Sequence, residues 1–244
     1  MRIRRTLTLR IAVLLSLALV PLARSQAAKS GESAADSKPF RIDRFQASID
    51  AFVAADALAP PKPQGILFIG SSIFRQWTSL TSDFAPLPVF NRAFGGSRTI
   101  EVLHYADTLV LPYRPRLIVY YCGSNDINAD VRPQQILANF QAFAAKVHQA
   151  LPGTRIVYAS ILRAPQKKDR WDWVDEANRL ISLYCSREAF LAFVDINPAV
   201  INPDGSPRME LYKADKLHYL SPAYVGFTGI LKPVVTRLWA EPAG

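Results

Sequence analysis

Five short apolar runs constrain this chain more than any other feature. They are Gly65–Gly70, Val89–Ala93, Leu117–Cys122, Arg155–Ile161 and Leu191–Ile196, and each is separated from the next by a stretch with helical spacing. Runs of five to seven residues that are apolar on both faces fit strands buried on both sides. Strands alternating with helices then imply a parallel sheet covered by helices above and below, an α/β class chain. The intervening helices are expected at Ile73–Leu80, Thr99–Leu109, Pro133–Leu151 and Asp172–Ser186, with a last one at Pro222–Ala240. A further amphipathic helix is expected ahead of the first strand, at Phe40–Ala57, from the spacing of Phe45, Ile49, Phe52 and Val53. In open parallel sheets the ligand crevice lies beyond the carboxyl ends of the strands, so polar residues gathered there decide the chemistry.

The amino terminus reads differently. Arg2, Arg4, Arg5 and Arg10 precede an apolar run, Ile11–Val20, and Ser25-Gln26-Ala27 has a small-x-small pattern. This is the layout of a signal peptide, expected over residues 1–27, and it implies an exported protein, periplasmic or secreted. Residues 28–38 are small and polar and read as a flexible linker, leaving residues 39–244 as one domain. The apolar run is too short for a membrane span, so no stable span is expected once the leader is cut. Residues 1–27 hold five arginines and no acid, so the formal charge of +9 falls to +4 without them. No lysine or arginine stripe is interleaved with aromatics, which argues against a nucleic-acid partner.

Four polar blocks fall at predicted strand ends: Gly70-Ser71-Ser72-Ile73, Asn91–Ser97 with its Gly95-Gly96 pair, Gly123-Ser124-Asn125-Asp126, and Asp215-Lys216-Leu217-His218. A serine needs a base beside it to act as a nucleophile at neutral pH, and the base needs an orienting acid. Of the three histidines, His104 and His148 lie inside predicted helices, whereas His218 follows Asp215 by three residues on a loop. Acyl transfer also requires N–H donors aimed at the developing oxyanion. Gly96, Asn125 and the N–H of Ser72 are the candidates. The chain order Ser, Asp, His lacks the Gly-x-Ser-x-Gly elbow of α/β-hydrolases.

Taken together these blocks resemble those of the SGNH, or GDSL-type, hydrolases, a family of esterases, lipases and carbohydrate-ester deacetylases. The resemblance runs over about residues 64–240 and implies a three-layer α/β/α sandwich, flavodoxin-like, around a five-stranded parallel sheet. It implies Ser72 as nucleophile, Asp215 and His218 as its partners, and an oxyanion hole of Ser72, Gly96 and Asn125. Ser71 departs from the family pattern, which has an acid there. The implied activity is hydrolysis of carboxylic esters through an acyl-enzyme, with short acyl groups or O-acetyl groups on carbohydrate as substrates. No cofactor and no metal are implied. Alternatives are a lysophospholipase or thioesterase of the same family, or a non-catalytic carbohydrate-binding protein on the same fold. The partner is then a small-molecule, carbohydrate or lipid ester.

Other residues carry plainer readings. Cys122 and Cys185 are expected as buried free thiols, although export leaves a disulfide open. Asp215 and His218 lack the further His or Cys that a metal site would need. Arg163, Lys167, Lys168 and Arg170 read as a solvated basic loop rather than a phosphate site, and Arg98 as a solvated residue or a surface ion-pair partner. Trp171 and Trp173 read as helix-start or core residues, with a pocket wall as the other reading; Phe74 and Trp77 share that ambiguity.

Overall fold

The computed structural model describes residues 42–241. Residues 1–27 and 28–38, expected as leader and linker, lie outside the described residues. The five apolar runs form β1 (Ile66–Gly70), β2 (Val89–Asn91), β3 (Leu117–Tyr121), β4 (Arg155–Ala159) and β5 (Leu191–Val194). All pair in parallel, in the order β2-β1-β3-β4-β5.

The period of two along each strand divides the side chains between two cores. Ile66, Phe68, Val119, Tyr121, Val157 and Ala159 face one side. There they meet α2 (Ser72–Arg75), α3 (Leu80–Phe84) and α9 (Ser221–Ala240), through Phe74, Phe84, Tyr224, Phe227 and Leu231. Leu67, Ile69, Ile118, Tyr120, Ile156 and Tyr158 face the other. Covering that face are α1 (Gln46–Leu58), α4 (Thr99–His104), α5 (Ala106–Leu109), α7 (Pro133–Ala150) and α8 (Trp171–Cys185). This is the three-layer α/β/α arrangement expected from strands apolar on both faces. The chain leaves β1 for one side and returns to β3 on the other, which opens a crevice above their carboxyl ends.

Several elements differ from the sequence expectation. The helix expected at Ile73–Leu80 is two pieces, because Trp77 turns into the core and its indole N–H donates to Asp83 at 2.7 Å. The helix expected at Thr99–Leu109 breaks at Tyr105, whose buried ring packs edge-on against Phe94 at 5.7 Å. At the amino end of the domain, a 3-10 turn over Ile42–Phe45 precedes α1. A short helix that the spacing did not reveal, α6 (Ser124–Asn128), starts directly after β3. Both cysteines are free and buried.

Candidate active site

β1 ends at Gly70 with φ +138°, where a Cβ would lie 1.8 Å from the Tyr121 carbonyl oxygen, so only glycine fits this turn between two paired strands. The turn delivers Ser72 as the first residue of α2, with its hydroxyl part-exposed at the crevice. Ser71 points elsewhere: it is 1% exposed, and its Oγ has no hydrogen-bond partner among the described residues.

The loop after β2 reaches the same place. Gly96 takes φ +83°, a left-handed conformation open to glycine. Ser97 Oγ donates to the carbonyls of Gly70 at 3.1 Å and Phe94 at 3.0 Å, tying this loop to the turn after β1. The turn after β3 is tied in as well. Asn125 Nδ2 donates to Ser97 O at 3.0 Å, and buried Asp126 accepts from the Thr99 N–H at 3.0 Å and its hydroxyl at 2.5 Å. Burial pushes the Asp126 carboxyl up to about 6, against the pull of the Thr99 donors. Asn139 in turn donates to Thr99 Oγ1 at 2.9 Å. Three strand-end turns are thus cross-braced by side chains. Among the described residues the N–H groups of Ser72 and Gly96 meet no acceptor.

His218 comes from the segment that the Tyr212–Tyr219 bridge closes, just ahead of α9. Buried Tyr219 anchors the segment, and Lys213 N–H donates to the His218 carbonyl at 2.8 Å. His218 Nδ1 stands 2.6 Å from Asp215 Oδ2, and Nε2 stands 2.9 Å from Ser72 Oγ. Asp215 Oδ1 also accepts from the N–H groups of Leu217 at 3.0 Å and His218 at 2.9 Å. Partial burial acts to raise the Asp215 carboxyl, but the His218 ring and these donors outweigh it and hold the carboxyl down to about 2. The aspartate is therefore ionised at any physiological pH. A carboxylate, an imidazole and a hydroxyl in this line can move a proton off the serine.

Ser72, Gly96, Asn125 and His218 line one cleft of about 290 Å³. The other lining residues are Ser48, Arg75, Gln76, Gly95 and Leu217. A larger cleft, about 1170 Å³, lies at the β5 edge between α8 and residues 195–210. Its arginines Arg163, Arg179 and Arg208 are paired with Asp175, Glu176 and Glu210, and it brings no histidine to a serine, so the smaller cleft is the candidate site.

Some sequence readings need correction. The basic run at Arg163–Arg170 is no solvated loop: Lys167 is 1% exposed, and its ammonium donates to Ser124 Oγ at 2.6 Å and to Ser124 O at 3.3 Å. Burial pulls this lysine down to about 8. Arg163 forks onto Asp175, and Arg170 onto Asp130 and the Ile127 carbonyl. Arg98 is an ion-pair partner, of Glu101, but a buried one rather than a surface one. Of the two readings left open for Phe74 and Trp77, the structure has the core one, behind the serine turn. Trp171 opens α8 with its indole on the Ala164 carbonyl, and Trp173 lies under Arg132. Among the described residues no group of three or more His, Cys, Asp or Glu is placed to hold a metal ion.

The GDSL-like Lipase/Acylhydrolase family matches residues 69–224, well over half of the chain, and the chain belongs to that family. It is an ester-bond hydrolase. Solved structures with the same fold include a Streptococcus pneumonia protein named for platelet activating factor, with TM-score 0.69 and 22% identity over 78% of this chain and 92% of that one. A GDSL-like lipase from Bacteroides thetaiotaomicron gives TM-score 0.65 and 17% identity over 78% and 97%. Axe2, an acetylxylan esterase from Geobacillus stearothermophilus, gives TM-score 0.56 and 14% identity over 74% and 96%. No curated protein matches the sequence significantly.

Proposed function

We propose that this protein cleaves short-chain carboxylic esters, O-acetyl groups on carbohydrate among them, through an acyl-enzyme on Ser72. The observation that carries the reading is the unbroken line from Asp215 through His218 to Ser72 Oγ, at 2.6 and 2.9 Å. In this mechanism His218 Nε2 takes the Ser72 proton as Oγ attacks the ester carbonyl carbon. Asp215 fixes the proton on Nδ1, so that Nε2 is the basic nitrogen, and stabilises the imidazolium that forms. The carbonyl oxygen becomes an oxyanion facing the N–H groups of Ser72 and Gly96 and the Asn125 amide. The tetrahedral intermediate collapses, the alkoxide leaves with the proton from His218, and water repeats the sequence to release the acid.

The size and lining of the cleft favour a short acyl chain. Leu217 is the one residue with an aliphatic side chain among its described lining residues, and 290 Å³ sits at the low end for ligand pockets. An acetylxylan esterase shares the fold, which is consistent with an acetyl group on sugar. The deciding experiment compares hydrolysis of p-nitrophenyl acetate, butyrate and decanoate by wild type, Ser72→Ala and Ser71→Ala. The reading expects acetate to be the best substrate and Ser72→Ala alone to lose turnover. Equal turnover in Ser72→Ala would overturn it, and a preference for decanoate would point to a lipase-type pocket.

The same proposal takes residues 1–27 as a leader that directs export. Amino-terminal sequencing of protein recovered outside the cytoplasm should then begin near Ala28; a start at Met1 would refute it.

A further inference from the structure

The mouth of the candidate cleft is unusually rich in cations and poor in acids. Arg75 is exposed and lies one helical turn after Ser72, in the cleft lining itself. Its guanidinium lies over Gly95: a Cβ there would sit 2.5 Å from Nε and 3.1 Å from Cζ, so the bare glycine is what admits it. Arg44, from the turn before α1, donates through Nη2 to the Gly96 carbonyl at 2.5 Å. Two guanidinium groups therefore flank consecutive residues of the loop whose N–H faces the reacting carbonyl. Lys213 brings a third cation to the lining residue Gln76, with its ammonium on Oε1 at 2.6 Å.

Against these charges the cleft lining offers no carboxylate among the described residues. Asp215 stands behind His218, with its oxygens taken up by the imidazole and two backbone N–H groups. Arginines elsewhere are neutralised locally, as in Arg163–Asp175, Arg179–Glu176 and Arg208–Glu210. Among the described residues neither Arg44 nor Arg75 enters an ion pair. Arg44 uses its donors on the loop. Arg75 makes no side-chain hydrogen bond among the described residues and lines the cleft, and a planar guanidinium is the group that grips a carboxylate through two parallel bonds.

We propose that Arg75 is the anchor of an anion subsite, and that the preferred substrates are esters that also carry a carboxylate. The inference rests on the cleft being the ester-binding site. A carboxylate held by Arg75 orients the ester against Ser72, and the positive field around Gly95 and Gly96 draws anionic esters to the cleft. The acid and alcohol products together carry one more negative charge than the ester brought.

The test is made by calorimetry on the Ser72→Ala protein, where no turnover interferes. Two matched pairs are titrated: 4-acetoxybenzoate against its methyl ester, with the charge on the alcohol side, and mono-4-nitrophenyl glutarate against 4-nitrophenyl pentanoate, with the charge on the acyl side. At least one charged ester should bind about tenfold tighter than its neutral match, the size expected of a charge-assisted hydrogen bond. Added Arg75→Gln should erase that preference, Arg75→Lys should keep part of it, and salt should weaken it. Equal binding within both pairs, or a preference that survives Arg75→Gln, overturns the subsite. Turnover of neutral esters by the wild type is scored separately. Ser72-dependent hydrolysis without charge preference sinks the subsite alone, whereas absence of Ser72-dependent hydrolysis sinks the esterase reading and leaves the binding comparison to decide the subsite.

Discussion

The ammonium of Lys167 reaches Ser124 Oγ at 2.6 Å and so clamps the segment after β4 to the first turn of α6. Ser124 is the neighbour of Asn125, the proposed side-chain donor to the oxyanion. Lys167→Met should therefore lower kcat severalfold with little change in KM, because the amide donor drifts while the rest of the cleft stays in place. Steady-state kinetics on p-nitrophenyl acetate check this. A change confined to KM would show that the clamp does not act through Asn125.

The same lysine predicts a pH effect. Its pKa is about 8 in the folded chain and 10.5 in the ordinary case, so between those values the unfolded chain binds the extra proton and stability rises with pH. Burial raises Tyr120, Tyr121 and Tyr158, which work in the opposite direction above about pH 10. Urea unfolding at pH 8 and pH 9.5 should show wild type gaining relative to Lys167→Met. No relative gain would mean the ammonium is not desolvated.

Ser72→Ala and His218→Ala should each reduce turnover by about three orders of magnitude or more while leaving the melting temperature close to that of wild type. Asn125→Ala should lose less, about 10²–10³, the loss typical of one oxyanion donor. Single-turnover kinetics with circular dichroism of each variant distinguish loss of chemistry from loss of fold.

Ser71→Ala should behave in the opposite manner. The Ser71 hydroxyl is buried without a partner among the described residues, so its removal should leave stability unchanged or improve it, and turnover should persist. Gly70→Ala, one residue earlier, should not yield a folded protein, because its methyl group would overlap the Tyr121 carbonyl. Denaturant midpoints and soluble yield measure both.

Much of this architecture was legible in the sequence, for identifiable reasons. Strands such as Leu117–Cys122 are apolar on both faces, and that pattern admits few folds besides a covered parallel sheet. Ser72, Gly96, Asn125, Asp215 and His218 lie in short blocks at strand ends, and the structure lines four of them along one cleft, with Asp215 behind His218. What stayed hidden depended on partners distant in the chain. Lys167 looks like any lysine in a basic run until Ser124 is placed beside it. Arg98 is a different case: its partner Glu101 is only three residues on, with a carboxylate oxygen 2.5 Å from the Arg98 N–H, but nothing local shows that the pair is buried. Tyr105 and Trp77 interrupt helices because their rings serve the core, a tertiary demand that local periodicity does not encode.

The segment ahead of β1 has its own consequence. Arg44, Phe45 and Ser48 precede the stretch matched by the family, yet Arg44 holds the Gly96 carbonyl, Phe45 packs on Phe94 at 5.0 Å, and Ser48 lines the cleft. A chain trimmed to residues 60–244 would retain every recognisable motif and lose one wall of its proposed reaction chamber. Borders drawn by family resemblance are thus too narrow for anyone transplanting this domain. The unit that can be moved intact begins before Arg44, and its first helix belongs to the chemistry as much as to the packing.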